Sequence, residues 1–253
     1  MSLSCDACAL SGICLPSNLS VAEITVLEAN IHTGVKINKG DAIYTAGERF
    51  TGLYAVKSGS FKSVIATSQG DEQIVGFHMP GELLGFDGFD SSHANTTVAL
   101  ETAMVCKVPE DSLEFLCNNV KGVSTHVHKM VASDVRAHNS ALLLIAQKTA
   151  EERIVCFLKN VSDRFKKRGF SGSDFSLSMP RGDIANFLGM APETVSRLFA
   201  RLEDEEIVRF NRREVHIINE AEMSNRACGH GNALANKAQA NRAQANKALA
   251  ANA

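Results

Sequence analysis

The hydrophobic period of the chain changes once, near residue 109, and that change limits the possible folds more than any other feature. From about 34 to 108, apolar residues come in short β-branched and aromatic runs: Ile43-Tyr44, Leu53 to Val56, Phe61 to Ile65, Ile74 to Phe77 and Met104 to Cys106. Glycine turns at Gly40, Gly47, Gly59, Gly70 and Gly81 separate them. Runs about ten residues apart suggest a small antiparallel barrel or roll. From about 110 to 146 the pattern is helical. Within it Val131, Val135, His138, Leu142 and Ile145 recur at intervals of four, three, four and three. That is an a/d seam, through which two copies of the helix would zip together. A helix lying on its own roll is the competing reading. His128 and His138 are polar guests along it.

The remainder of the chain is built from shorter pieces. Residues 148–168 form an amphipathic helix ending in a basic cluster, with Gly169 as its stop. Two short helices follow, 181–188 and 192–203, joined by Gly189-Met190-Ala191, with Pro192 at the first helical position of the second. This is the spacing of a helix-turn-helix, whose second helix enters the DNA major groove. Glu193, Ser196 and Arg197 share one face near its start. Arg grips guanine bidentately, Glu accepts from cytosine and Ser serves several base edges. Val195, Leu198 and Leu202 would pack the other face on Ile184, Phe187 and Leu188. A strand pair over 207–210 and 215–218, carrying Arg209, Arg212 and Arg213, would be a wing along the phosphates. The bland alternative is a helical hairpin with a Glu193–Arg197 surface pair.

Ahead of the roll, Ser20 and Glu23 frame a capping box for a short helix over 20–31. Before that lies an arm, 1–18, bearing Cys5, Cys8 and Cys14. Thiolates this close converge on a soft metal centre. Zinc and a 4Fe–4S cluster each take four ligands, so a fourth must come from Cys106, Cys117, Cys156 or Cys228. Spacing alone does not choose between the two.

Composition narrows the function classes. A chain of 253 residues that is 45% hydrophobic is not disordered, and no apolar stretch approaches the ~20 residues of a membrane span. The N-terminus lacks a basic n-region, so a cytoplasmic protein is expected. The net charge of −2 hides an asymmetry. Residues 1–147 hold nine Lys/Arg against fifteen Asp/Glu, and residues 148–218 hold thirteen against eleven. The second region is the one suited to a polyanion. The eight His are scattered and there is no Walker loop, G-x-S-x-G or H-E-x-x-H, so no enzyme is expected. The loop Gly81 to Gly85 has the form of a phosphate cradle, but no Lys or Arg lies between 63 and 106, and it reads as a plain turn. The tail over 235–249 is a five-residue Ala/Asn repeat that matches no packed helical face, and reads as a frayed helix or disorder.

Taken in order, the stretches CDACALSGICLP, GDEQIVGFH, ALETAMVCKVP, TAEERI, RGDIANFLG and ETVSRL resemble the Crp/Fnr superfamily of bacterial regulators, and within it the FNR (fumarate and nitrate reduction) branch. The resemblance implies an α+β chain: a cyclic-nucleotide-binding-like β-roll, a long dimerisation helix and a C-terminal winged helix-turn-helix. The division it implies is an arm at 1–18, the roll at 19–119, the dimer helix at 120–147, the winged domain at 148–221 with its helix-turn-helix at 181–200, and a tail at 222–253. It implies a 4Fe–4S cluster on Cys5, Cys8, Cys14 and Cys106, leaving Cys117, Cys156 and Cys228 structural. It implies an oxygen-responsive homodimer in which Glu193, Ser196 and Arg197 read TTGAT-type half-sites of a palindrome with a four-base spacer. It implies RNA polymerase contacts, with the sigma subunit through Gly70, Asp71 and Glu72, and with the α subunit through Thr102 and the Phe165–Phe175 surface. No cyclic nucleotide is expected, because the cAMP-receptor branch holds its phosphate with an Arg-Ser pair and residues 91–97 contain no Arg. That branch also carries an Arg where this chain has Pro192. His138 stands where the best-known FNR has an Asp that keeps the cluster-free form monomeric, and the Ala/Asn-rich tail is foreign to the family. A regulator of the same fold sensing thiol redox, nitric oxide or zinc is the alternative.

Overall fold

Short β-branched runs divided by glycine turns build strands, and the strands close into two facing sheets. The structure, a computed structural model, describes residues 4–67, 69–89 and 91–227. Helix α1 (Val21–Ala29) opens with the expected capping box: the Glu23 backbone N–H donates to Ser20, and the Ser20 N–H donates to Glu23 at 2.8 Å. The roll comprises β1 (His32–Ile37), β2 (Ala42–Tyr44), β3 (Gly52–Ser58), β4 (Phe61–Ala66), β5 (Glu72–His78), β6 (Leu83–Leu84), β7 (Thr96–Ala99) and β8 (Ala103–Pro109). One antiparallel sheet runs β1-β8-β3-β6 and the other β2-β7-β4-β5. Between them Tyr44, Tyr54, Val56, Phe61, Leu84 and Val105 form a buried core.

The helical stretch after the roll is two helices, α2 (Glu110–Asn119) and α3 (Lys121–Gln147), where the sequence pattern reads as one. Val120 breaks it by adopting an extended backbone, φ −120° and ψ 93°. Its side chain is buried with Leu113, Leu116, Val123 and Val127, so burial of both helices on the roll offsets the lost helical hydrogen bonds. Leu15 of the arm belongs to the same cluster, and Cys14 and Cys106 pack against it.

Helix α4 (Ala150–Lys167) starts at a second capping box, Thr149 with Glu152. It ends before Gly169, which takes the left-handed φ of +77° that suits glycine. Strand β9 (Asp174–Ser176), helices α5 (Arg181–Leu188) and α6 (Pro192–Asp204), and strands β10 (Val208–Asn211) and β11 (Glu214–Ile217) complete the C-terminal unit. Its sheet has the order β10-β11-β9. Sequence reasoning missed β9, which is three residues long and too short to show alternation. Residues 220–227 are helical, while Cys228 and the repeat tail lie outside the described residues.

The C-terminal core continues onto the roll. Val64, Ile74, Phe77 and Leu100 share one buried cluster with Ile154, Leu158, Ile184, Val195 and Phe199. Polar contacts fix the seam between them. Lys62 pairs with Asp183 at 2.9 Å. The Asn186 side chain accepts from the Ile74 N–H at 2.6 Å and donates to the Glu72 carbonyl at 2.8 Å. Glu82 receives Arg164 and Arg168, each at 2.6 Å.

Candidate nucleic-acid interface and cysteine site

The turn between α5 and α6 is set by Gly189. Its backbone is left-handed, φ 63° and ψ 47°. The Gly189 N–H donates to Asn186 and the Met190 N–H to Ala185, which satisfies the last carbonyls of α5 in a Schellman arrangement. Pro192 then opens α6. Val195, Phe199 and Leu202 are buried beside Ile184 and Leu188, while Phe187 and Leu198 are half-buried against them. Phe199 stacks on Phe210 with ring centroids 4.2 Å apart. The opposite face presents exposed Glu193 and Arg197 with half-buried Ser196. Arg197 donates to Thr194 at 3.4 Å rather than pairing with Glu193, so the guanidinium is not tied up by a local carboxylate.

Beside this helix, β10 and β11 pair from Val208–Ile217 to Asn211–Glu214 around the two-residue turn Arg212-Arg213. Arg209, Arg212 and Arg213 are all exposed, and Arg212 takes a left-handed φ of +54° at the turn. A recognition helix flanked by a cationic hairpin can seat in a groove and grip its phosphates. The basic cluster ending α4 is a different matter. The side chain of Arg168 is only 4% exposed and its guanidinium is taken by Glu82 and the Pro80 carbonyl, so this cation faces the roll.

At the other end of the molecule the arm is a string of tight turns. The Cys5 carbonyl accepts from the Cys8 N–H at 3.2 Å, Cys8 from Ser11 at 3.0 Å and Cys14 from Ser17 at 2.9 Å. Glu28 of α1 anchors the start by accepting from the Ser4 hydroxyl at 2.7 Å and from the Cys5 N–H. Ile13 lies over Gly81, where a Cβ would sit 2.6 Å from its side chain. Cys106 and Cys8 lie near enough to Cys5 and Cys14 to bear on their thiols. Burial, then neighbouring charge from Glu28, Cys106 and Cys8, raises Cys5 to about 11. Burial, with Cys106, Cys5 and Cys8 adding to it, raises Cys14 to about 12. Cys106 is also raised, chiefly by burial, against the pull of the Gly34 N–H and of Lys57. Among the described residues no three His, Cys, Asp or Glu side chains close on a point fit for a single ion. The arrangement is four soft donors gathered across the arm and β8, spread rather than convergent.

Helix α3 is divided lengthwise. Val123 and Val127 are buried against the roll, whereas Val135, Leu142, Leu143 and Ile145 are exposed on a single chain. His138, also exposed, has Nδ1 2.9 Å from the Asp134 carbonyl and 3.6 Å from its carboxylate. Val131 differs from the other seam positions, since it packs partly on the roll cluster. Leu143 was missed by the strict a/d reading.

Comparison with known proteins agrees with this geometry. Residues 35–120 match the family Cyclic nucleotide-binding domain, and residues 152–226 match the family Crp-like helix-turn-helix domain. The chain is 38% identical to the Fumarate and nitrate reduction regulatory protein of Vibrio cholerae, over 87% of this chain and 89% of the relative. It is 38% identical to the Transcriptional activator protein Anr of Pseudomonas protegens, over 89% and 93%. The chain belongs to the FNR/Anr group of Crp/Fnr transcription regulators. Among solved structures, FixK2 from Bradyrhizobium japonicum aligns with a TM-score of 0.71 at 30% identity, covering 76% of this chain and 96% of FixK2.

Within this Crp/Fnr roll, the corner beside the Gly81 to Gly85 turn is filled. His93 is buried, stacks on Tyr44 at 3.7 Å, and places Nδ1 3.4 Å from the Asp87 carboxylate. Asp87 also accepts from the Asn95 N–H at 3.0 Å. A carboxylate in this corner, with no cation on the stretch, is unsuited to a phosphate. Of the residues matched to polymerase contacts, Gly70, Asp71 and Glu72 form the exposed β4–β5 turn and Thr102 the exposed β7–β8 turn. Phe165 stacks on Phe175 at 5.2 Å, and Phe170 stands 58% exposed beside them. No helix among the described residues is long and apolar enough to cross a membrane.

Proposed function

We propose that this Crp/Fnr regulator is an oxygen-responsive, DNA-binding homodimer governed by a 4Fe–4S cluster on Cys5, Cys8, Cys14 and Cys106. The observation that supports the reading is the gathering of four cysteines, three on the arm and one on β8, near enough that Cys106 and Cys8 both help to raise the thiols of Cys5 and Cys14. An all-sulfur donor set suits iron–sulfur chemistry, with one thiolate per iron corner. Such a cluster, when bound, holds four thiolates together in the absence of oxygen and releases them on oxidation.

The chain's own residues do the rest. Raised thiols hold their protons when free, so loading the site would expel those protons. The backbone N–H groups of Leu15 and Gly34 favour the thiolate forms of Cys14 and Cys106 against burial. Leu15 shares a core with Val123 and Val127, so ordering the arm favours one seating of α3. That seating presents Val135, His138, Leu142 and Ile145, with the edge of Val131, to a second copy. The dimer offers two α6 helices one DNA turn apart, ~34 Å, to a TTGAT palindrome with a four-base spacer. There Arg197 takes guanine, Glu193 and Ser196 contact neighbouring base edges, and Arg209, Arg212 and Arg213 run along phosphates. Gly70, Asp71 and Glu72 face the sigma subunit of RNA polymerase, and Thr102 with Phe165, Phe170 and Phe175 faces the α subunit. The activity is regulatory, in the cytoplasm, without catalysis or cyclic nucleotide.

The test is an anaerobic absorbance spectrum with iron and acid-labile sulfide assays, repeated after air, alongside sedimentation and a gel shift on the palindrome. About four iron and four sulfide per chain are expected, bleaching in air with loss of dimer and of DNA binding. A colourless anaerobic protein that still dimerises and binds DNA would remove the cluster, and zinc content would then decide what the thiols hold.

A further inference from the structure

Arg153, on the first turn of α4, is half-buried at the elbow where α3, α4 and α5 meet. Its guanidinium donates to three backbone carbonyls on two separate elements. Nη2 reaches Ile145 at 2.5 Å, Nε reaches Lys148 at 3.0 Å and Nη1 reaches Leu188 at 3.1 Å. Ile145 lies in the last turn of α3, and Leu188 is the last residue of α5. Both carbonyls belong to the set that an α-helix leaves without an internal partner. A cation placed at two helix C-termini also meets the negative end of each dipole. The α5–α6 turn closes on the same spot, since a Cβ on Gly189 would lie 3.9 Å from both Arg153 Nη1 and the Ile145 side chain.

We infer that Arg153 is a positioning residue that sets the separation of the two recognition helices, and so determines which operator spacing the dimer accepts. Three donors fixed in one plane define the angle between α3 and the helix-turn-helix, which a single contact would leave free to pivot. Ile145 is at once a carbonyl held by Arg153 and an exposed apolar residue of the stripe, so the same turn that meets the second copy is pinned to α5. The packed core between α4 and α6 keeps the winged unit folded without Arg153. What the guanidinium adds is the unit's orientation relative to the dimer axis.

This inference rests on the proposed palindrome-binding dimer, and its test separates the two. Binding of the anaerobic full chain is measured on TTGAT palindromes with spacers of three, four, five and six bases and on a single half-site, for wild type, Arg153→Met and Arg153→Lys. Wild type should show a clear preference for one spacer. Arg153→Met should lose about tenfold in affinity for that spacer while the others change little, so that the preference flattens. Its half-site binding and dimer fraction should match wild type, with thermal unfolding lowered only by the lost carbonyl contacts. Arg153→Lys, whose single ammonium cannot hold three carbonyls at once, should fall between, and it carries the test if the Met variant does not fold. A full spacer preference in a folded variant with the guanidinium removed would overturn the inference. A wild type with no spacer preference would instead overturn the dimer reading beneath it.

Discussion

Helix α6 and the cysteine arm both carry a row of functional side chains, yet they are held in contrasting ways. α6 rests on Val195, Phe199 and Leu202, each at most 2% exposed, and its entry turn is closed by two backbone hydrogen bonds at Gly189 and Met190. The described residues of the arm form neither helix nor strand, bury Leu10 and Leu15, and set the cysteines on successive turns. The exposed face of α6 is complete in the folded chain, while the thiols stand spread, and the proposed cluster would supply their closure. A sensor built to lose its ligand benefits from low intrinsic stability, and a reader of bases benefits from rigidity.

The largest expected effect breaks the arm. Cys106→Ala removes the only roll-borne thiol of the four, and should abolish iron incorporation and anaerobic DNA binding while circular dichroism stays near wild type. Full anaerobic activity would remove Cys106 from the ligand set. Next, Phe199→Ala empties the space under α6 and should cost about 3–5 kcal/mol in the C-terminal unit, read by urea unfolding. A cost below about 1 kcal/mol would show that α6 is not held by its core. Glu193→Ala should leave the fold intact and relax discrimination at one base pair by about 1–3 kcal/mol, measured by competition among half-site variants. Equal binding of every variant by wild type would deny α6 the reading role.

The smallest effect concerns the seam between roll and winged unit. His78, whose Nε2 lies 2.8 Å from the Ser63 hydroxyl, is pushed by burial down to about 4, with Arg164 adding to the push and Glu82 opposing it. A histidine depressed in the fold takes up its proton more readily when unfolded, so it withdraws stability as pH falls from about 6.5 to about 4 and no further below. Urea midpoints should decline over that window, and His78→Gln should flatten the decline. Glu82 runs in a lower window. Burial raises its carboxyl, but Arg164, Arg168 and His78 outweigh burial and hold it at about 2, so its contribution persists above the ordinary carboxylate range and fades as pH drops toward 2. An unchanged slope in the His78 variant would place the acid sensitivity elsewhere.

Legibility in the sequence followed the range of the signal. The helix-turn-helix was readable because its geometry depends on local chemistry, Gly189 in the left-handed region and Pro192 at a helix start. The capping box of α1 was readable for the same reason. The break at Val120 was not, because valine carries no turn signal and the break arises from burial on the roll. Nor could β9 be seen, or the partial burial of Val131, since each depends on what packs against it. Glu82 read as part of a plain turn, and the arginines of α4 as a basic helix end. Only the fold joins them across more than eighty residues of chain. The cysteine spacing points to a soft-metal site in the arm, while the proposed roll-borne donor, Cys106, rests on the family resemblance and not on spacing.

Helix α3 is also a lever. Its 27 residues span about 40 Å, the N-terminal half is bedded in the roll and the rest projects past it. A tilt of about 5° at Val127 to Val131 would carry the far end, some 24 Å on, through about 2 Å. Packing that shifted by a fraction of an ångström beneath Leu15 would thus arrive at Ile145 as a displacement comparable to half a base-pair step. Under the proposed function, a small sulfur-bearing arm would thereby act on DNA at a distance without touching it.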